Sequence, residues 1–193
     1  MLDFDSYSHL NWSGSWSIHS EEKPSWDSVK TYLEDGCVFI DVGCQKGIYS
    51  QGVIDVLGEN CSVYGFDVLE HAKIREIENN NKNFKFYPSA CGDGKPHDVV
   101  VHYDSNTIAK AQDSIKLDDF VTEEGLERVD FVKIDVDGCE SYVLEGMKGI
   151  LEKFNPVLMI EIESGLEDIK EFLRQYGYRY LYSKNDVNRF FSK

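Results

Sequence analysis

The stretch from Val38 to Gly47, Val-Phe-Ile-Asp-Val-Gly-Cys-Gln-Lys-Gly, limits the fold more than any other in this chain. Val38 to Val42 is apolar apart from Asp41, and it breaks into glycines before Tyr49, Val53, Val56 and Leu57 start a stripe at helical spacing. That order reads as a buried strand, a tight turn and a helix closing at Gly58. In a parallel α/β sheet, ligands lie beyond the carboxyl ends of the strands, where glycine admits close backbone approach and a helix N-terminus offers unpaired N–H groups. Gly43 and Gly47 are spaced as G-x-x-x-G and not as G-x-G-x-x-G, which argues against a dinucleotide cradle and a NAD-dependent oxidoreductase.

The rest of the chain repeats the alternation. Pro24-Ser25 opens a helix with Trp26, Val29 and Leu33 on one face, ended by Asp35-Gly36. Val63 to Asp67 is a second strand, Ile74 and Ile77 mark a polar helix, and Phe84 to Tyr87 is a third strand. Between Cys91 and Asp113 the pattern loosens around Gly92, Gly94 and Pro96, with an extra antiparallel strand from Asp98 to Tyr103. Leu117 to Phe120 starts a short helix and Phe131 to Asp137 is a fourth parallel strand. Val143, Leu144, Met147, Ile150, Leu151 and Phe154 stripe one helix stopped by Pro156. Val157 to Ile162, Tyr178 to Tyr182 and residues 187–192 are further strands, with a helix striped by Ile169, Phe172, Leu173 and Tyr176 after the first of them. The expected fold is a doubly wound, mostly parallel α/β sheet of about seven strands with an antiparallel edge strand. A chain of 193 residues suits one domain. Residues 1–35 form an arm and first helix, and 36–193 the α/β unit. The arm, with Tyr7, Trp12 and Trp16, is expected to be irregular and to cover a core edge or fold over the site. His9 and His19 in that arm are read as surface or core histidines.

The formal net charge of -15 opposes binding to nucleic acid or anionic membranes. No apolar stretch reaches membrane-spanning length and no signal-peptide core follows Asp3 and Asp5, so a cytoplasmic location is expected. Five cysteines without a C-x-x-C pair point to reduced thiols. Cys44, Cys91 and Cys139 each follow a strand and are read as packing residues.

Asp67, at the end of the strand next to the first, is placed to accept hydrogen bonds from ribose hydroxyls. Lys133, Asp135 and Asp137 alternate, and a strand's period of two points them to one side. Burying three charges together is costly unless they pair or serve a site. Mutual repulsion between Asp135 and Asp137 is expected to raise one pKa, with Lys133 opposing the shift. A divalent metal on the two carboxylates is a weaker alternative. Glu161 and Glu163, at the end of the fifth strand, are read either as facing an acceptor or as structural.

Ile40-Asp41-Val42-Gly43 through Gly47, with Tyr49 and Ser50, is followed by Phe66-Asp67, Leu117-Asp118-Asp119-Phe120, Lys133 to Gly138 with Glu140 and Val143-Leu144, and Ile160-Glu161-Ile162. In order and separation, over roughly residues 37–165, this set resembles the FkbM family of methyltransferases. The chain departs from the family pattern at Cys44-Gln45, usually Ala-Asn, at Asp67, usually Glu, and at Asp137 and Cys139, usually Glu and Ala. The resemblance implies a Rossmann-like fold, S-adenosyl-L-methionine as cofactor, and methyl transfer to a hydroxyl of a sugar, glycan or other small molecule. The cofactor-binding candidates are Asp41, Gly43, Cys44, Gly47, Tyr49, Asp67, Ala90 and Asp135. The catalytic candidates are Asp135 as base, Lys133 orienting the acceptor or stabilising its oxyanion, and Asp137; no metal ligands are assigned. The arm, the 91–113 segment and a second copy in a homodimer are candidates for completing the acceptor pocket. A non-catalytic cofactor-binding or accessory protein with the same fold is the alternative.

Overall fold

The computed structural model describes residues 22–103 and 106–193. The expectations for Tyr7, Trp12, Trp16, His9 and His19 lie outside the described residues. The described chain opens with α1 (Lys23–Val29) and a 3-10 turn, Lys30–Tyr32. Then come β1 (Cys37–Val42), α2 (Ile48–Leu57), β2 (Cys61–Phe66), α3 (Ala72–Asn80) and β3 (Phe84–Tyr87). Short β4 (Ala90–Cys91) and β7 (Ser114–Ile115) pair with each other and flank a hairpin of β5 (His97–Tyr103) and β6 (Asn106–Gln112). After α4 (Leu117–Glu123) follow β8 (Phe131–Ile134), α5 (Glu140–Glu145), α6 (Lys148–Lys153), β9 (Val157–Glu161), α7 (Leu166–Gln175), β10 (Arg179–Lys184) and β11 (Asn188–Ser192). Among the described residues, no helix is long and apolar enough to cross a membrane.

The main sheet has seven strands in the order β10-β11-β9-β8-β1-β2-β3. Its antiparallel member is β11, which runs against both neighbours, β9 and the edge strand β10. The chain reverses between β10 and β11 through Asn185 and Asp186, whose φ values of 53° and 57° suit residues that tolerate the left-handed region. The order of connection reverses between β1 and β8, so the ends of these two strands form the topological switch point.

Strand periodicity sorts the core. Val38, Ile40, Val42, Val132 and Ile134 pack one face against residues of α4 to α7. Cys37, Phe39 and Phe131 pack the other against α1, α2 and α3, with the Phe39 and Phe131 rings stacked at 5.1 Å. Trp26 of α1 lies on α2 at Gly52, where a Cβ would come within 2.5 Å of the indole.

The structure departs from the sequence reading at four points. The single helix expected from Val143 to Phe154 is two, because Gly146 is pressed against the chain at Gly92, whose carbonyl oxygen would lie 1.8 Å from a Cβ there. The second helix is then capped by Asp118, whose carboxylate accepts from the N–H groups of Gly149 and Ile150, each at 2.9 Å. The apolar stripe survives the break, with Val143, Leu144, Met147, Ile150 and Leu151 all buried. The antiparallel strand expected over residues 98–103 is present as β5; its partner β6 was not expected, and the pair stands apart from the main sheet. Val56, expected in the apolar stripe of α2, is 40% exposed, and Ile54 is buried instead. Finally, β8 stops at Ile134, because Asp137 and Gly138 turn with φ values of 48° and 95°.

Candidate active site

Asp41 and Lys133 are direct register partners across β1 and β8, on the sheet face that carries α2. They are 1% and 3% exposed, so each needs a partner of opposite charge. Lys133 Nζ donates to Asp135 Oδ2 at 3.0 Å and to the Gly43 carbonyl at 3.2 Å, and lies 3.4 Å from Asp41 Oδ1. Asp41 Oδ2 accepts from Ser50 Oγ at 2.7 Å, one turn into α2. The Tyr49 ring covers the ammonium, 5.3 Å from its centroid, and the Tyr49 hydroxyl donates to Glu22, just before α1. Burial works against the Lys133 charge, but Asp135 and Asp41 together raise its pKa. Two of the ammonium's hydrogens are thus committed to protein acceptors, and Asp41 Oδ1 balances its charge without a hydrogen bond.

Because Ile134 pairs with Ile160, Asp135 and Glu161 leave β8 and β9 side by side, on the same face as Lys133 and Met159. Their carboxyls are hydrogen-bonded. Burial would raise the Asp135 pKa, but the Lys133 charge and the bond from Glu161 bring it below the usual carboxylate value. Glu161 moves the other way, pushed up to about 9 by its bond to Asp135 and by burial. This corrects the sequence reading, which made Asp137 the repelling neighbour of Asp135. Asp137 is exposed on the turn beyond the strand, where the Gly138 N–H donates to Glu140 at 2.9 Å. Among the described residues, no three His, Cys, Asp or Glu side chains are grouped to hold a metal ion.

The glycine turn is stitched to both neighbouring strands. The N–H groups of Gly43 and Cys44 both donate to the Phe66 carbonyl, at 2.8 and 3.1 Å. Gly43 has φ 76°, and a Cβ on it would lie 1.7 Å from the Asp135 carbonyl oxygen. Contact between two backbones therefore demands this glycine, whatever ligand is bound. Gly43→Ala is expected to destabilise the fold by about 1–3 kcal/mol through overpacking alone, seen as a lowered urea midpoint; an unchanged midpoint would contradict the contact.

Gly47, at φ 80°, precedes α2 and no side chain caps that helix. Asp67 follows β2, and its carboxylate accepts from the Gln45 and Leu69 N–H groups, each at 2.8 Å. Burial raises its pKa, opposed by those two bonds and by Lys133. A carboxylate offers roughly four lone-pair sites, so acceptor capacity remains. Cys44 is buried against Gly65, and burial, then the charges of Asp41 and Asp67, hold its thiol far above the ordinary pKa. It is a packing residue and not a nucleophile. Ala90 is buried in β4, past the end of β3.

The structure thus gathers Asp41, Gly43, Cys44, Gly47, Tyr49, Asp67, Lys133 and Asp135 at the switch-point end of the sheet and leaves Asp137 outside. Sequence reasoning missed Glu22 and Asn188, whose amide donates to Ser25 Oγ at 2.9 Å and to Glu22 Oε2 at 3.5 Å. It also gave no role to Ser50, although a hydroxyl on the sheet-facing side of the helix after an acidic strand was a usable signal.

A family model described as the methyltransferase FkbM domain matches residues 23–180. The chain is 28% identical over 145 residues to the 2-O-methyltransferase NoeI of Sinorhizobium fredii, covering 60% of this chain and 59% of that protein. A crystal structure of methyltransferase FkbM from Methylobacillus flagellatus superposes with a TM-score of 0.61 at 17% identity, over 83% of this chain and 44% of that one. Aeropyrum pernix fibrillarin, in complex with natively bound S-adenosyl-L-methionine, superposes with a TM-score of 0.54 at 12% identity, over 88% and 73% of the two chains. At these identities the two structures establish the fold. The match spans less than two thirds of NoeI and less than half of the FkbM structure.

Proposed function

Because the chain belongs to the FkbM methyltransferase domain family, we propose that it transfers a methyl group from S-adenosyl-L-methionine to a hydroxyl of a sugar, glycan or other small molecule. The observation that carries the reading is the Asp135 carboxylate, held by the Lys133 ammonium at 3.0 Å and next to Glu161 at the switch point, beside the glycine turn.

The residues present fit the cofactor. Asp67 retains acceptor capacity for ribose hydroxyls, and the uncapped first turn of α2 offers N–H groups to a carboxylate. Bound there, S-adenosyl-L-methionine supplies a methyl group made electrophilic by a positively charged sulfur. The chain's own work is to orient the acceptor and take its proton. Asp135 is a weak base, so it takes the hydroxyl proton as the acceptor oxygen loses electron density and not beforehand. Lys133, which donates to Asp135 and the Gly43 carbonyl and is only 3% exposed, fixes the Asp135 carboxylate and does not touch the acceptor. The O-methyl assignment is supported by the name of the NoeI relative.

Isothermal calorimetry tests the cofactor half. The wild type is expected to bind S-adenosyl-L-methionine and not NAD, and Asp67→Ala to weaken binding by about tenfold or more, as for a lost hydrogen bond to a charged group. No binding to the wild type would overturn the proposal. Binding without turnover on any of a panel of hydroxylated sugars would favour the accessory-protein reading.

A further inference from the structure

We propose that Glu161 is a positioning residue for the transfer: its carboxyl, set beside Asp135 by the β8/β9 register, holds one proton between the two groups and fixes the Asp135 carboxylate toward the acceptor. The inference rests on the methyl-transfer reading for its chemistry, but its geometry does not depend on a cofactor.

Pairing of Ile134 with Ile160 leaves the two carboxyls adjacent, and they are hydrogen-bonded. Two carboxyls in hydrogen-bond contact do not both ionise near neutrality, so one proton is shared. Which group keeps it is decided by Lys133, whose ammonium is 3.0 Å from Asp135 Oδ2. Asp135 is the ionised member and Glu161 the protonated donor, in line with its pKa of about 9. The other charged or titratable groups facing the pair are Glu22 before α1, Tyr49 on α2 and Glu140 at the start of α5, with Asp41 on β1 on the far side of Lys133. Lys133 is the cation among them, so a second negative charge at Glu161 would be poorly compensated.

In the transfer step the acceptor oxygen forms its bond to the methyl carbon while the methyl–sulfur bond breaks, its electron pair staying on sulfur. The acceptor proton passes to Asp135. The pair then carries two protons, one on each carboxyl, and returns one to solvent. Glu161 loses no proton in the cycle; it keeps Asp135 from turning away. As Glu161 ionises at alkaline pH, Asp135 loses its donor and gains a neighbouring charge, so turnover falls. Stability follows the same sign. Between the unfolded pKa of about 4.3 and the folded value, the native state holds a proton that the unfolded chain has released, so stability declines as pH rises through that window.

The first test is an infrared titration of the whole protein, without cofactor or acceptor. A protonated-carboxyl band present at pH 7, lost as pH rises through about 9 and missing from Glu161→Gln at both pH values, is the expected result. A band unchanged in Glu161→Gln, or absent from the wild type, would overturn the proposal. In kinetics, Glu161→Gln keeps an N–H donor for Asp135 and should retain turnover near neutrality while losing the alkaline decline. Glu161→Ala should lower kcat by about a hundredfold with cofactor affinity unchanged. If Glu161→Ala does not fold, the glutamine variant still decides, and an alkaline limb identical to wild type would sink the assignment. Should the protein bind no S-adenosyl-L-methionine, the methyl-transfer reading fails while the infrared result stands on its own.

Discussion

Lys133→Met is expected to remove about 3–5 kcal/mol of stability, a large share of the roughly 5–15 kcal/mol typical of a folded domain. The side chain is replaced by one of similar length, so the loss is not one of packing. It arises because Asp41, which is 1% exposed, and Asp135 are left near each other without the ammonium that each depends on. Asp41 keeps only the Ser50 hydroxyl, on its other oxygen. Urea unfolding of the variant should show a lower midpoint at unchanged slope. Adding Asp41→Asn and Asp135→Asn should recover a substantial part of the loss, since an uncharged cluster needs no counter-ion. A triple variant no more stable than Lys133→Met would show that the lysine contributes by contact and not by charge.

Asp135→Asn is expected to lower kcat by about 10²- to 10⁴-fold, the usual contribution of a general base, with cofactor affinity near that of wild type. An amide oxygen can still accept from Lys133 and Glu161, so the fold and the local geometry are kept while the proton acceptor is lost. Steady-state kinetics with calorimetry on the same preparation separates the two effects. Unchanged turnover would remove Asp135 from the chemistry. Equal losses in turnover and cofactor affinity would make it a binding residue only.

Much of this was legible in the sequence because it is local. The β1 run, its glycine turn and the stripe of α2 lie within twenty residues, and each carries its own period. The Asp41–Lys133 pair was not legible, because it depends on a register between strands separated by some ninety positions. Asp137 was misplaced for a definite reason: a period of two was continued past Ile134 to Asp137, which with Gly138 is left-handed and turns the chain out of the strand direction. Glu161 was visible as an acidic strand end, but its neighbour is fixed by the β8/β9 alignment and not by spacing. Glu22 and Asn188 gave no signal at all, since they meet only through the packing of α1 on the β10–β11 hairpin. The helix break at Gly146 was hidden likewise, for its cause is the carbonyl of Gly92.

The two bonds to the Phe66 carbonyl and the contact of Gly43 with the Asp135 carbonyl have a mechanical meaning. They couple the ends of β2, β1 and β8 at backbone level, with no side chain free to yield between them. Asp67 and Asp135, each the first residue past the end of one of the outer two strands, therefore hold a fixed separation. The distance between the proposed cofactor anchor and the proposed proton acceptor is set by the sheet itself, as by a rigid gauge, and any widening needed to admit an acceptor falls to elements outside it.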